Sequence, residues 1–170
     1  ALLLALSAEA WTTQLLSANS DDRDVDHLDE IWNSYIPKLP VEGGTIDACL
    51  GDMQGRINLS SFSLYDNASW VAEMDGTRFG RLSALKNMMQ EKQILFQENM
   101  FAALVDWTDA DDQEINQWGA EQNQYETERM AIMVPNAAFT DVAELAAVYG
   151  FNSEIVNQLD AELSALPETT

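Results

Sequence analysis

Oxygen-bearing side chains crowd into the stretch DWTDADDQEINQWGAEQNQYE, where Asp106, Asp109, Asp111, Asp112, Glu114, Glu121 and Asn123 fall within eighteen positions. Carboxylates held this close repel one another, and a divalent cation would remove the repulsion and order the segment. Calcium takes about six to eight hard oxygens from carboxylates, amide side chains and backbone carbonyls. A segment with no clean period delivers these better than a helix, because loop carbonyls are free. Magnesium fits less well, since it prefers few protein ligands and several waters. The spacing is not that of an EF-hand: counted from Asp109, Glu114 stands where the glycine is needed and Ala120 where the bidentate glutamate is needed. Residue types alone leave two readings open here, a calcium-binding loop and a solvated acidic loop.

Other chemistry finds fewer residues. His27 is the only histidine and Cys49 the only cysteine, which excludes an internal disulfide and a zinc cluster of the usual kind. A Ser-His-Asp triad would have to use His27, which sits among Asp24, Asp26, Asp29 and Glu30 and reads as a paired surface or capping histidine. Gly43-Gly44 and Gly51-x-x-x-Gly55 lack the context of a phosphate loop. Acidic residues abound, so carboxylate pairs for hydrolysis are available, and a secreted metal- or carboxylate-dependent hydrolase stands as the alternative function. The five tryptophans are spread along the chain and read as core or interface residues rather than a sugar platform.

The charge balance narrows the partners. Twenty-nine Asp and Glu against 8 Lys and Arg give a net charge of −21. Nucleic acid and anionic lipid headgroups both need clustered basic residues, so neither fits. A basic partner or a divalent cation does.

The elements that must position these residues are mostly helical. Leu3, Leu6, Ala10, Trp11 and Leu15 recur at helical spacing over residues 1–18. The start, ALLLALSAEAW, has no basic n-region and is not an intact signal peptide; it reads as the lower end of a longer helix. No stretch reaches the roughly 18 apolar residues of a membrane span. Asp26 is placed to cap a short helix around Leu28, Ile31, Trp32 and Tyr35, ended by Pro37 and Pro40. Thr45–Leu50 alternates like a strand, Arg56–Leu59 reads as a second, and the two are expected to pair as an antiparallel hairpin. From about Asp66 onward the pattern is helical. One helix is marked by Phe79 to Met89, one by Ile94 to Val105, one by Val142 to Tyr149 with Gly150 ending it, and one by Ile155 to Leu163 with Ser153 as its cap. Two strands alone make no stable sheet, so either the helices cover the hairpin or further strands belong to the fold.

Six segments, in order, resemble one family, the K-type minor pseudopilin of the type II secretion system (general secretion pathway protein K). They are LALSAEAW at 4–11, VDHLDEIW at 25–32, LPVEGGTIDACLGDMQGRINLSSF at 39–62, LVDWTDADDQ…GAEQNQY at 104–125, FTDVAELAAVYGF at 139–151 and LSALPETT at 163–170. Two departures stand out. Ser60 replaces an Asn usual after the GRINL-like run, and Met133-Val134-Pro135-Asn136 keeps only the Asn of a "YRAAN"-like segment.

The resemblance implies an α+β fold. A pilin-like N-terminal helix and a small antiparallel sheet would occupy residues 1–65, an inserted all-helical domain 66–162, and a return segment 163–170 leading toward further strands. It implies no catalysis. It implies assembly with I-type and J-type minor pseudopilins, in a heterotrimer at the pseudopilus tip, and contact with other pseudopilins through the N-terminal helix. The setting would be the periplasmic domain of an inner-membrane-anchored protein in a Gram-negative bacterium. It implies structural calcium in the insertion. Carried over position by position, the ligands are Asp109, Asp111, Glu121 and Asn123, with Asp106 and Asp112 as further candidates.

Overall fold

The structure, a computed structural model, describes residues 2–18, 38–41, 44–47, 50–53, 55–127 and 132–167. The chain divides into two compact units, Ala1–Asp52 and Met53–Thr170.

In the first unit, α1 spans Leu2–Ala18, as the spacing predicts. Ser7, Thr12 and Thr13 turn their hydroxyls back onto the carbonyls of Leu3, Ala8 and Glu9, which satisfies these polar groups on the helix itself. Leu2, Leu3 and Leu6 are exposed. Strands β1 (Leu39–Val41) and β2 (Gly44–Ile46) pair antiparallel, with Leu39 opposite Ile46 and Val41 opposite Gly44. Lys38 and Asp47 flank this ladder with a 3.2 Å ion pair. The short helix expected around Leu28–Tyr35, its Asp26 cap, His27 and Cys49 lie outside the described residues.

Among the described residues, the expected pairing of Thr45–Leu50 with Arg56–Leu59 is not found. Thr45 and Ile46 pair backward with Leu39 and Pro40, the partner that closes the shorter loop and so loses less chain entropy. Ile57–Asn58 (β3) instead pairs parallel with Leu163–Ser164 (β4), over a hundred residues later. Asn58 secures that pairing: its Oδ1 accepts from the backbone N–H of Ser60 and Leu166, and its Nδ2 donates to the carbonyl of Pro167. Burial of Leu59 and Leu163, both fully enclosed, supplies the apolar part. The two ends of the helical region therefore lie side by side.

Between them the second unit is built from short helices. A 3-10 helix over Leu59–Leu64 is followed by α2 (Asn67–Met74), capped by Asp66, whose carboxylate accepts from Ser69 N–H at 2.7 Å. Helix α3 (Arg81–Glu91) buries Leu82, Leu85 and Met89, one stripe at helical spacing. Its start is held by a polar network. Glu73 accepts from Tyr65 Oη at 2.7 Å and from Ser83 N–H at 3.0 Å, while Tyr65 Oη accepts from Arg81 N–H at 3.1 Å. Orphan N–H groups of the first turn thus find acceptors.

Helix α4 (Glu98–Thr108) is the centre of the unit. Every residue from Met100 to Thr108 is buried, the condition of a helix that is packed on all sides. Phe101, Leu104 and Val105 belong to one core with Phe62, Leu85, Met89, Leu145 and Leu159. After α5 (Gln122–Thr127), the segment predicted as a third helix is a 3-10 helix over Val142–Ala147, capped by Asp141. The helix stops at Ala147 with Val148 as its extended C-cap, so Gly150, expected to end it, lies two residues past that cap. Its φ is +88°, a region that glycine enters freely, and a Cβ there would meet Met100 Cγ at 2.5 Å. Helix α6 (Ser153–Leu159) is capped one residue earlier than predicted: Asn152 Oδ1, not Ser153, accepts from Ile155 N–H at 2.9 Å.

Candidate metal centre

The site begins where α4 stops. Asp109 leaves the helix in an extended conformation, its N–H still bonded to Val105 O. The chain then loops through residue 121 and re-enters helix at Gln122. Two side-chain turns shape the loop: Asp111 Oδ1 accepts from Gln113 N–H and Asn116 Oδ1 from Trp118 N–H, each at 2.8 Å. Around it, Trp107 lies 5.9 Å from Tyr125 and 6.3 Å from Phe139, ring to ring. Tyr125 Oη accepts from Tyr149 N–H at 2.9 Å. Gln122 ties α5 to the segment behind it, accepting from Val134 N–H and donating to Ile132 O.

This framework gathers Asp109, Asp111 and Glu121, which can each offer one carboxylate oxygen with all three within 4.8 Å of one another. Glu121 is only 4% exposed, yet neither of its oxygens has a donor, and Asp109 Oδ1 is likewise buried and unpartnered. Three buried acceptors without donors are costly. Asp109 adds to this, because it caps the C-terminus of α4, the negative end of the helix dipole, with no basic residue in the last turn. Burial, then Asp106 and Asp109, push Glu121 up to about 7. Burial, then Asp111, push Asp109 up to about 6. A bound divalent cation removes all three penalties at once, so the residues present fit the calcium that the sequence suggests.

The other sequence candidates have surroundings of their own. Asn123 lies exposed in the first turn of α5. Asp112 Oδ1 accepts from Asn136 Nδ2 at 3.0 Å. Glu114 packs against Gly119, where an added Cβ would lie 2.8 Å from Glu114 Cβ and collide with Asp106 Oδ2. Asp106 is fully buried, and both of its oxygens accept backbone N–H groups, from Ile115 at 2.9 Å and from Ala120 at 2.7 Å. Burial pushes it up to about 6 against the lowering effect of those two bonds.

Two residues that matter here were missed from the sequence. Asn136 donates to Asp111 O at 2.7 Å and keeps a buried, unpartnered Oδ1 of its own. Gly119 provides the space in which Asp106 meets the loop. The glycine of the Gly-Ala-Glu run was a visible signal. Asn136 gave none beyond its place in the family-like segment.

Comparison with known proteins fits this architecture. The family model "Type II secretion system (T2SS), protein K" matches residues 55–168, nearly the whole second unit. Type II secretion system protein K of Pseudomonas aeruginosa is 32% identical over 145 residues, covering 85% of this chain and 41% of that protein. The protein of the same name from Aeromonas hydrophila is 27% identical over 168 residues, covering 96% and 50%. The chain thus spans about half the length of the curated relatives it matches. A chain in the crystal structure of the GspK-GspI-GspJ complex from enterotoxigenic Escherichia coli shares the fold, with a TM-score of 0.82 at 21% identity, covering 98% of this chain and 57% of that one. With the family model matching well over half of its residues, this chain belongs to the type II secretion system protein K family.

Proposed function

We propose that the chain belongs to the periplasmic region of a non-catalytic minor pseudopilin. It stands at the tip of the type II secretion pseudopilus, joined to I-type and J-type partners, and supports protein export across the outer membrane. Family membership over residues 55–168 carries this reading, and the shared fold with a chain from a K–I–J complex supports it. The parallel pairing of Ile57–Asn58 with Leu163–Ser164 supports an insertion, because it returns the chain to the place where the helical region began. Such a bulge would be too wide for the filament shaft, which favours a place at the tip. The exposed leucines of α1 suit contact with neighbouring pseudopilin helices. No helix among the described residues is long and apolar enough to cross a membrane; anchoring to the inner membrane of a Gram-negative cell belongs to the proposal. The hydrolase alternative gains nothing from the family match.

Calcium has a structural part in this reading. Asp109, Asp111 and Glu121 would hold it, with Asn123 and loop carbonyls completing the shell, and the ion would supply positive charge to oxygens that otherwise have no donor. The deciding experiment is co-expression with I-type and J-type minor pseudopilins, followed by affinity capture and size exclusion in calcium. A stable three-part complex is expected. A folded chain that elutes alone overturns the assembly reading.

A further inference from the structure

We propose that Asp106 is a positioning residue for the cation site, shaping it before any ion arrives, and is not one of its ligands. The inference rests on the metal reading above.

A carboxylate that binds calcium must turn an oxygen toward the ion. Asp106 stands outside the Asp109–Asp111–Glu121 group, whose oxygens come within 4.8 Å of one another, and each of its oxygens already accepts a backbone N–H. It lies in the last turn of α4, fully buried. Oδ1 accepts from Ile115 N–H and Oδ2 from Ala120 N–H, at 2.9 and 2.7 Å. These two N–H groups sit in the middle of the loop and at the residue just before Glu121. One rigid side chain on the central helix therefore fastens the loop at two points. The second point fixes where Glu121 starts, and Glu121 is the carboxylate that closes the group with Asp109 and Asp111 from the far end of the loop.

The surroundings are built for this contact. Gly119 has no side chain where a Cβ would run into Asp106 Oδ2. The carboxylate accepts two N–H groups through two oxygens at this spot; an amide must turn its own NH2 against one of them. Closing a thirteen-residue loop costs conformational entropy. A loop already pinned to α4 meets the ion with most of that entropy spent. Loss of such supporting bonds commonly weakens metal affinity about 10–100-fold.

The test compares the wild-type chain with Asp106→Asn and Glu121→Gln, using calcium titration by calorimetry and amide hydrogen exchange in chelator and in calcium. Three results are expected. In wild-type protein with chelator, the amides of Ile115 and Ala120 exchange slowly. Asp106→Asn loses that protection without metal and binds calcium about 10–100-fold more weakly. Glu121→Gln loses calcium binding but keeps both amides protected without metal.

Calcium affinity unchanged in Asp106→Asn overturns the inference. So does fast exchange of Ile115 and Ala120 in metal-free wild type that slows only with calcium, because the ion would then be shaping the loop. Should Asp106→Asn fail to fold, the exchange of wild type and Glu121→Gln in chelator still decides. Wild type that binds no calcium while both amides stay protected would instead sink the metal reading, and leave Asp106 as a structural staple.

Discussion

The side-chain amide of Asn136 donates to the backbone carbonyl of Asp111 at 2.7 Å, joining positions 25 residues apart. The same NH2 reaches Asp112 Oδ1 at 3.0 Å. Asn136 does this from a left-handed backbone, φ +44°, which Asn tolerates better than most residues. Two substitutions separate the two roles. Asn136→Gly keeps the backbone and loses the amide; Asn136→Ala loses both. Urea unfolding is expected to show a loss of about 1–2 kcal/mol for Asn136→Gly. Asn136→Ala should lose about 1 kcal/mol more. Equal stabilities would mean that the amide, not the backbone, accounts for the whole effect.

Calcium should stabilise the chain in a saturable way. At a free concentration of a hundred times Kd the gain is about 2.7 kcal/mol. Glu121→Gln should abolish it. The same substitution should slightly raise the melting temperature in chelator at pH 7, since it removes a buried charge among Asp106, Asp109, Asp111 and Asp112. A calcium-induced shift that survives Glu121→Gln would exclude this glutamate as a ligand.

The pH dependence without calcium should run opposite to ordinary acid denaturation. Unfolded, Asp and Glu titrate near 3.8 and 4.5; folded and metal-free, Asp109 is pushed up to about 6 and Glu121 to about 7. Between those values the folded protein holds more protons than the unfolded one, so stability falls as pH rises from about 4 to about 7. Saturating calcium should flatten that fall, because the ion replaces the protons. Melting temperatures in chelator at pH 5 and pH 7 check the sign.

Gly119→Ala should destabilise the loop and the core beneath it. The new methyl meets Asp106 Oδ2 and Glu114 Cβ, and relief means moving a buried carboxylate off its two N–H donors. Overpacking of this kind costs about 1–3 kcal/mol. Limited proteolysis should show faster cleavage in 109–121 than in wild type. A variant as resistant as wild type would mean that the loop moves aside without penalty.

Tyr65→Phe tests the other buried polar network. It removes the 2.7 Å bond to Glu73, which is only 4% exposed, and the acceptor for Arg81 N–H. A loss of about 1–3 kcal/mol is expected, with little effect on calcium affinity.

Much of the helical region was legible from spacing. Leu82, Leu85 and Met89 mark α3, and Met100 to Val105 mark α4, because a helix repeats its buried face every three to four residues. Strand pairing was not legible in that way. Ile57-Asn58 reads as a strand, but a strand pattern names no partner. Its partner lies at Leu163–Ser164, and the choice depended on Asn58 bonding to Leu166 and Pro167.

The acidic loop divides along the same line. By itself the sequence determined that carboxylates crowd into residues 106–121, that an EF-hand is excluded, and that six ordered segments match one family. Those conclusions need only residue types and order. Which oxygens stand free, and which are already used, was decided by the tertiary structure alone. Asp106, Asp109, Asp111 and Glu121 carry the same functional group. Only the position of the Ile115 and Ala120 N–H groups ties down the first, and only the absence of donors leaves Asp109 Oδ1 and both Glu121 oxygens buried and unpartnered.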